Sequence, residues 1–61
     1  MDKYQFTYFI VQLSSLGWLT VNGTEWVETS DEKEAIQFHR YRDALAVLEG
    51  FFYGNGIIHG R

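Results

Sequence analysis

Between residues 4 and 13 (YQFTYFIVQL) Tyr4, Phe6, Tyr8 and Ile10 share one parity, with Gln5 and Thr7 between them, which predicts a half-buried strand. The alternation then slips, because Phe9, Val11 and Leu13 are apolar on the opposite parity. Either both faces are covered at that end or a bulge shifts the register. Ser14 to Gly17 reads as a connection. Residues 18–21 and 24–28 then flank Asn22-Gly23, the strongest short hairpin signal, since a type I′ turn needs positive φ at both central positions. A two-residue loop there pairs Val21 with Thr24, Thr20 with Glu25, Leu19 with Trp26 and Trp18 with Val27. Leu19, Val21, Thr24 and Trp26 then share one face, and Trp18, Thr20, Glu25 and Val27 the other. One helix covers one face of so small a sheet, so Trp26 is expected in the core. Trp18 is expected on the outer face, unless it folds over the edge onto Leu16 or the C-terminal tail.

Residues 29–53 admit two readings. Thr29-Ser30-Asp31-Glu32 matches a capping box and starts at least one helical turn. Ala35, Phe38, Tyr41, Leu45, Leu48 and Phe52 follow at spacings of three or four, as one long helix from 31 to 53 would place them. Ile36 falls off that stripe, and Arg40 and Arg42 would sit in mid-helix. The preferred reading is therefore a turn at 30–34, a short strand at 35–39 and a helix from about 41 to 53. Gly54 or Gly56 supplies the left-handed residue that ends it. Ile57 and Ile58 are too apolar for a free tail and read as a closing strand or a dimer contact. The fold expected is α+β: a three-stranded, mainly antiparallel sheet with one C-terminal helix on one face and a short final strand as an option, in a single domain.

The order of strand, tryptophan-bearing Asn-Gly hairpin, acidic turn and Ala35-x-x-Phe38-x5-Ala44 resembles small β-hairpin-plus-helix accessory proteins of phages and prophages, across residues 8–49. In those the Ala and Phe belong to a third strand. The chain departs from the pattern at the helix N-cap, where Arg40 stands in place of Ser, Thr or Asp. The resemblance implies a host-takeover or anti-defence protein, anti-CRISPR proteins included, with a host protein as its target. It carries over no catalytic residue.

Size and charge narrow the chemistry. The chain has 61 residues, no cysteine and eleven large aromatic rings. It is ordered rather than disordered in composition, and thiolate metal sites and cysteine nucleophiles are excluded. A basic n-region, a cleavage site and a membrane-length apolar run are missing, so the expectation is a soluble cytoplasmic protein without membrane contact. A net charge of −3 disfavours nucleic acid as a partner. The acidity is local: Glu25, Glu28, Asp31, Glu32 and Glu34 face Lys33 alone between residues 25 and 34.

Candidate constellations for catalysis are weak. Ser14 and Ser15 lack a flanking nucleophile motif, and a pair of carboxylates needs a concave dry site that so small a domain has little room to build. His39 and His59, twenty residues apart, lack metal-ligand spacing and read as solvent-facing. Gly54-Asn55-Gly56 follows a helix, so no helix N-terminus points at a phosphate. No cofactor or metal is implied. His39-Arg40-Tyr41-Arg42, with Lys33, is the alternative site, for nucleic acid; pairing of Arg40 or Arg42 with the acids at 25–34 is the structural explanation weighed against it. The leading candidate is a protein-binding patch in which Trp18 is rimmed by Glu25, Glu28, Asp31, Glu32 and Glu34. Binding without catalysis is thus the functional expectation, with homodimerisation as an option.

Overall fold

The computed structural model describes residues 6–61; the expected strand positions Tyr4 and Gln5 lie outside them. Among the described residues the order is β1 (Phe9–Ser14), β2 (Gly17–Asn22), β3 (Glu25–Thr29), a 3₁₀ turn (Glu32–Glu34), α1 (Tyr41–Phe52) and β4 (Ile57–Gly60). The strands form one antiparallel sheet in the order β3-β2-β1-β4, with a single helix, an α+β fold as expected. The tail is therefore a closing strand, paired with β1 from Phe9↔Gly60 to Gln12↔Ile57.

Alternation sorts the sheet into two faces. The inner face carries Val11 and Leu19, both fully buried, against Ala44 and Leu48 of α1. Phe9, Leu13, Trp26, Ile36, Phe38, Val47, Phe52 and Ile58 close around this core. Each fully buried aliphatic side chain contributes about 1.5–3 kcal/mol. The parity slip in the first strand has both causes proposed for it. The β1–β2 register shifts between Gln12 and Ser14, and Ile10 on the outer face is buried as well.

The hairpin register is displaced from the expected one. Asn22 pairs with Glu25, Val21 with Trp26, Thr20 with Val27, Leu19 with Glu28 and Trp18 with Thr29. The loop is thus Gly23-Thr24, with positive φ at Gly23 alone (67°), the pattern of a type II′ turn rather than type I′. Sliding the pairing by a two-residue step keeps each side chain on its face. Trp26 therefore does reach the inner face, half-buried against Phe38 (ring centroids 6.3 Å apart) and Phe51 (6.0 Å).

Residues 29–53 follow the second reading, with modifications. Asp31, not Thr29, caps the 3₁₀ turn, accepting the Lys33 N–H at 2.9 Å. The expected strand at 35–39 shrinks to one bridge, Phe38 with Phe9. Its place explains this: β1 and β2 pair only near Gln12 and Ser14 and splay beyond, and residues 36–38 lie in the gap. The Ile36 N–H donates to Leu19 C=O (2.9 Å) and the Phe9 and Phe38 amides exchange bonds of 2.8 and 2.9 Å. The chain so passes from the outer face, where the Thr20 hydroxyl donates to Glu34 C=O (2.8 Å), to the helix on the inner face. Arg40 is the N-cap of α1, extended and without a side-chain cap bond. Tyr53 and Gly54 both take positive φ at the far end, and the Gly54 N–H returns to Leu48 C=O (3.0 Å).

Candidate protein-binding face

The outer face is built on a ladder of opposed residues running across all four strands, Thr29, Trp18, Gln12 and Ile57. Trp18 lies here, half-buried, and its ring meets the C-terminal strand at His59 (5.4 Å between ring centroids), the contact with the tail that the sequence left as the alternative. Gln12 donates through its amide nitrogen to Ser14 C=O (2.9 Å) and accepts through its oxygen from His59 Nε2 at 2.7 Å. An amide oxygen only accepts, so the ring proton sits on Nε2 and, in the neutral ring, Nδ1 is the free acceptor. His59 is thus a packed, oriented side chain, not the solvent-facing one expected; His39 is exposed.

The acidic turn is pinned over the same face at three points. The Thr29 hydroxyl oxygen accepts from the Asp31 N–H (3.2 Å), Thr20 holds the Glu34 carbonyl, and Arg61 binds Glu32 through Nε and Nη2, each at 2.9 Å. Under the turn lies a half-open cavity of about 380 Å³ lined by Tyr8, Ile10, Asp31, Glu32, Lys33 and Gln37. Trp18, Asp31, Glu32 and Glu34 are therefore brought to one face, and Glu25 joins them at its hairpin end. Glu28 does not. Positions 25 and 28 differ in parity, so one strand cannot present both on one side. Glu28 points to the inner side, where it accepts the Ser14 hydroxyl at 2.6 Å.

The basic candidates separate. Lys33 belongs to the outer-face turn, whereas Arg40, Tyr41 and Arg42 open the helix beyond the crossing at 35–38. Tyr41 packs edge-on against Phe9 (5.8 Å, 83°). The expected pairing of Arg40 or Arg42 with the acids is absent among the described residues, where the one ion pair is Arg61 with Glu32. Sequence reasoning missed Arg61, Gln12 and His59 as parts of this face, because the signal for each is a strand pairing remote in sequence. Chemically the face offers an aromatic ring, an oriented imidazole and carboxylates. Ser14, one of the two serines weighed as nucleophiles, donates to Glu28 and has no histidine partner among the hydrogen bonds of the described residues.

No family model, curated protein or solved structure matches the chain. Among the described residues no helix is long and apolar enough to cross a membrane.

Proposed function

We propose that this chain is a non-enzymatic binding module that docks on a basic surface of another protein through Trp18, Glu25, Asp31, Glu32 and Glu34. The observation that carries the reading is the clamped turn: Thr29 and Thr20 hold the backbone of Asp31 and Glu34, and Arg61 holds the Glu32 carboxylate, over the face that bears Trp18. A pre-ordered acidic rim orients and speeds encounter, and an aromatic ring with part of its surface in water supplies contact area once docked. Together with the resemblance to phage accessory proteins, this favours inhibition of a host protein whose own ligand is anionic, such as a nucleic-acid-handling or CRISPR-type defence complex.

The test pairs Glu25→Lys with Glu34→Lys, which leaves the Asp31 cap and the Glu32–Arg61 pair intact. Tagged wild-type chain should retain a host protein from a bacterial lysate. The double variant, with an unchanged circular dichroism spectrum, should lose it. Equal retention by both chains would end the acidic-face reading. The nucleic-acid alternative draws on one observation, that exposed Arg40 and Arg42 flank half-exposed Tyr41 without an ion pair among the described residues. A mobility shift at low salt, abolished by Arg40→Gln with Arg42→Gln, is its expected signature.

A further inference from the structure

Among the described residues the sheet has two edges, β3 and β4, and they are built differently. β3 carries exposed Glu25 and Glu28, one on each side, so a copy of β3 laid against it would crowd carboxylates of both chains into one ladder with strands only about 4.8 Å apart. Charge on an edge strand is a standard protection against such pairing. β4 has no equivalent: Ile57–Gly60 contains no Lys, Arg, Asp, Glu or Pro, and its register with β1 runs without a bulge.

The hydrogen bonds show which groups that edge offers. Arg61 N–H donates to Tyr8 C=O at 2.9 Å and Tyr8 N–H to Arg61 C=O at 3.4 Å, so Tyr8 and Arg61 form a hydrogen-bonded pair. Such pairs alternate along an antiparallel ladder. Ile57 and His59 therefore turn their backbone groups toward β1, and Ile58 and Gly60 turn theirs away from it; the outward Gly60 C=O accepts a long bond from the chain's own Arg61 Nη1 (3.3 Å), which leaves its second lone pair for an incoming strand. Phe9, opposite Gly60, fits this alternation, since it sends its N–H and C=O to Phe38 on its other side. Two outward residues flanking one inward residue are self-complementary under a two-fold axis. Ile58 of each strand meets Gly60 of the other, with His59 at the axis.

We infer that a second copy of this chain pairs antiparallel with β4 around His59, joining two sheets into one. Side chains agree with this register. It places Ile57, 58% exposed in the single chain, opposite the partner's Arg61, whose aliphatic stem would cover it. Arg61 is already held on the outer side by Glu32, so its stem is ordered before the contact forms. The two His59 rings meet at the axis. The outer faces of both copies become one surface carrying two Trp18 rings and two acidic turns. The inference is independent of what that surface binds.

Sedimentation velocity of the full chain from about 10 μM to about 1 mM tests it. The expected result is a concentration-dependent rise to twice the monomer mass. N-methylation of Gly60 in chemically synthesised chain removes an outward donor and sets a methyl group in the path of the incoming strand; monomer at every concentration, with unchanged circular dichroism, is expected. Ile57→Lys, at a position already largely in water, opposes like charges across the pair and should weaken association at least about tenfold. Concentration-dependent protection of the Ile58 and Gly60 amides against hydrogen exchange would support the same register. A chain that remains monomeric up to about 1 mM would overturn the inference, and so would a dimer indifferent to both modifications.

Discussion

The Glu28 carboxylate lies directly over Gly17, in the space that any side chain at 17 would fill, and from there accepts the Ser14 hydroxyl at 2.6 Å. Gly17 has no positive φ to require glycine, so its role is to leave room. Gly17→Ala must then expel Glu28 and break the bond to Ser14, a loss of about 1 kcal/mol. Adding a methyl to a strand glycine returns about 0.5–1 kcal/mol through the unfolded chain. Urea unfolding should show Gly17→Ala near neutral or slightly destabilising in the wild type. In a Glu28→Ala background, where nothing is left to expel, the same substitution should stabilise. A change of sign between backgrounds is the expected outcome, and equal effects in both would refute the relationship.

The hairpin turn separates the roles of its two signature residues. Gly23 sits at φ 67° while Asn22, paired with Glu25, has the ordinary negative φ of a strand. Gly23→Ala forces an L-residue into the left-handed half of the map and should cost about 1–2 kcal/mol. Asn22→Thr should stay within about 0.5 kcal/mol of wild type, since a β-branched residue suits an exposed strand end. If the turn were type I′, Asn22 would need positive φ and both substitutions would be costly. Thermal unfolding of the two single variants distinguishes the cases.

What the amino-acid order reveals, and what it hides, divides along distance in the chain. The face of Leu19, Val21 and Trp26 was legible because parity survives a two-residue slide, whereas the pairing itself depends on the turn type that the whole sheet accepts. The start of α1 was legible from Ile36, whose place off the helical stripe matches its backbone bond to Leu19. The splay of β1 from β2 had no local signal, since it arises from residues 36–38, remote in the chain from both strands, entering the gap. The same holds for the candidate face. The acidic turn announces itself by composition, but its clamp at Arg61 and the seat of Trp18 against His59 rest on β4 pairing with β1. Only Glu28 was misplaced by an error that the sequence could have corrected, since its parity relative to Glu25 is plain.

Arg40 occupies the N-cap of α1 and makes no side-chain bond to the first-turn amides. A positive side chain there also faces the positive end of the helix dipole. Arg40→Asp should therefore stabilise by about 1 kcal/mol, raising the midpoint of thermal unfolding by about 4–8 °C. Binding of a host protein through the outer face should be unaffected, because Arg40 lies beyond the crossing at 35–38. If the alternative nucleic-acid site is the true one, the same variant gains stability and loses its mobility shift. Calorimetry and a binding assay on one variant thus separate structural cost from use.

Gly50 and Gly56 lie six residues apart and should respond in opposite directions to the same substitution. Gly50 stands within α1, where a Cβ would meet nothing within 4 Å, and its φ is not positive. Gly50→Ala should stabilise by about 1 kcal/mol, the difference in helix propensity. At Gly56 a Cβ would stand 2.8 Å from Leu48 Cδ1 and 2.9 Å from the Gln12 carbonyl oxygen. Leu48 can turn within the core, but the Gln12 carbonyl belongs to β1 and can yield only if the strand moves. Gly56→Ala should cost about 1–3 kcal/mol by overpacking. Because the clash falls where β4 joins β1, it should also release His59 from Gln12 and Arg61 from Glu32. Amide exchange on β4 should therefore accelerate in Gly56→Ala more than in a variant of equal cost in the helix. Uniform acceleration across the chain would mean that the β4 junction opens only when the whole domain unfolds.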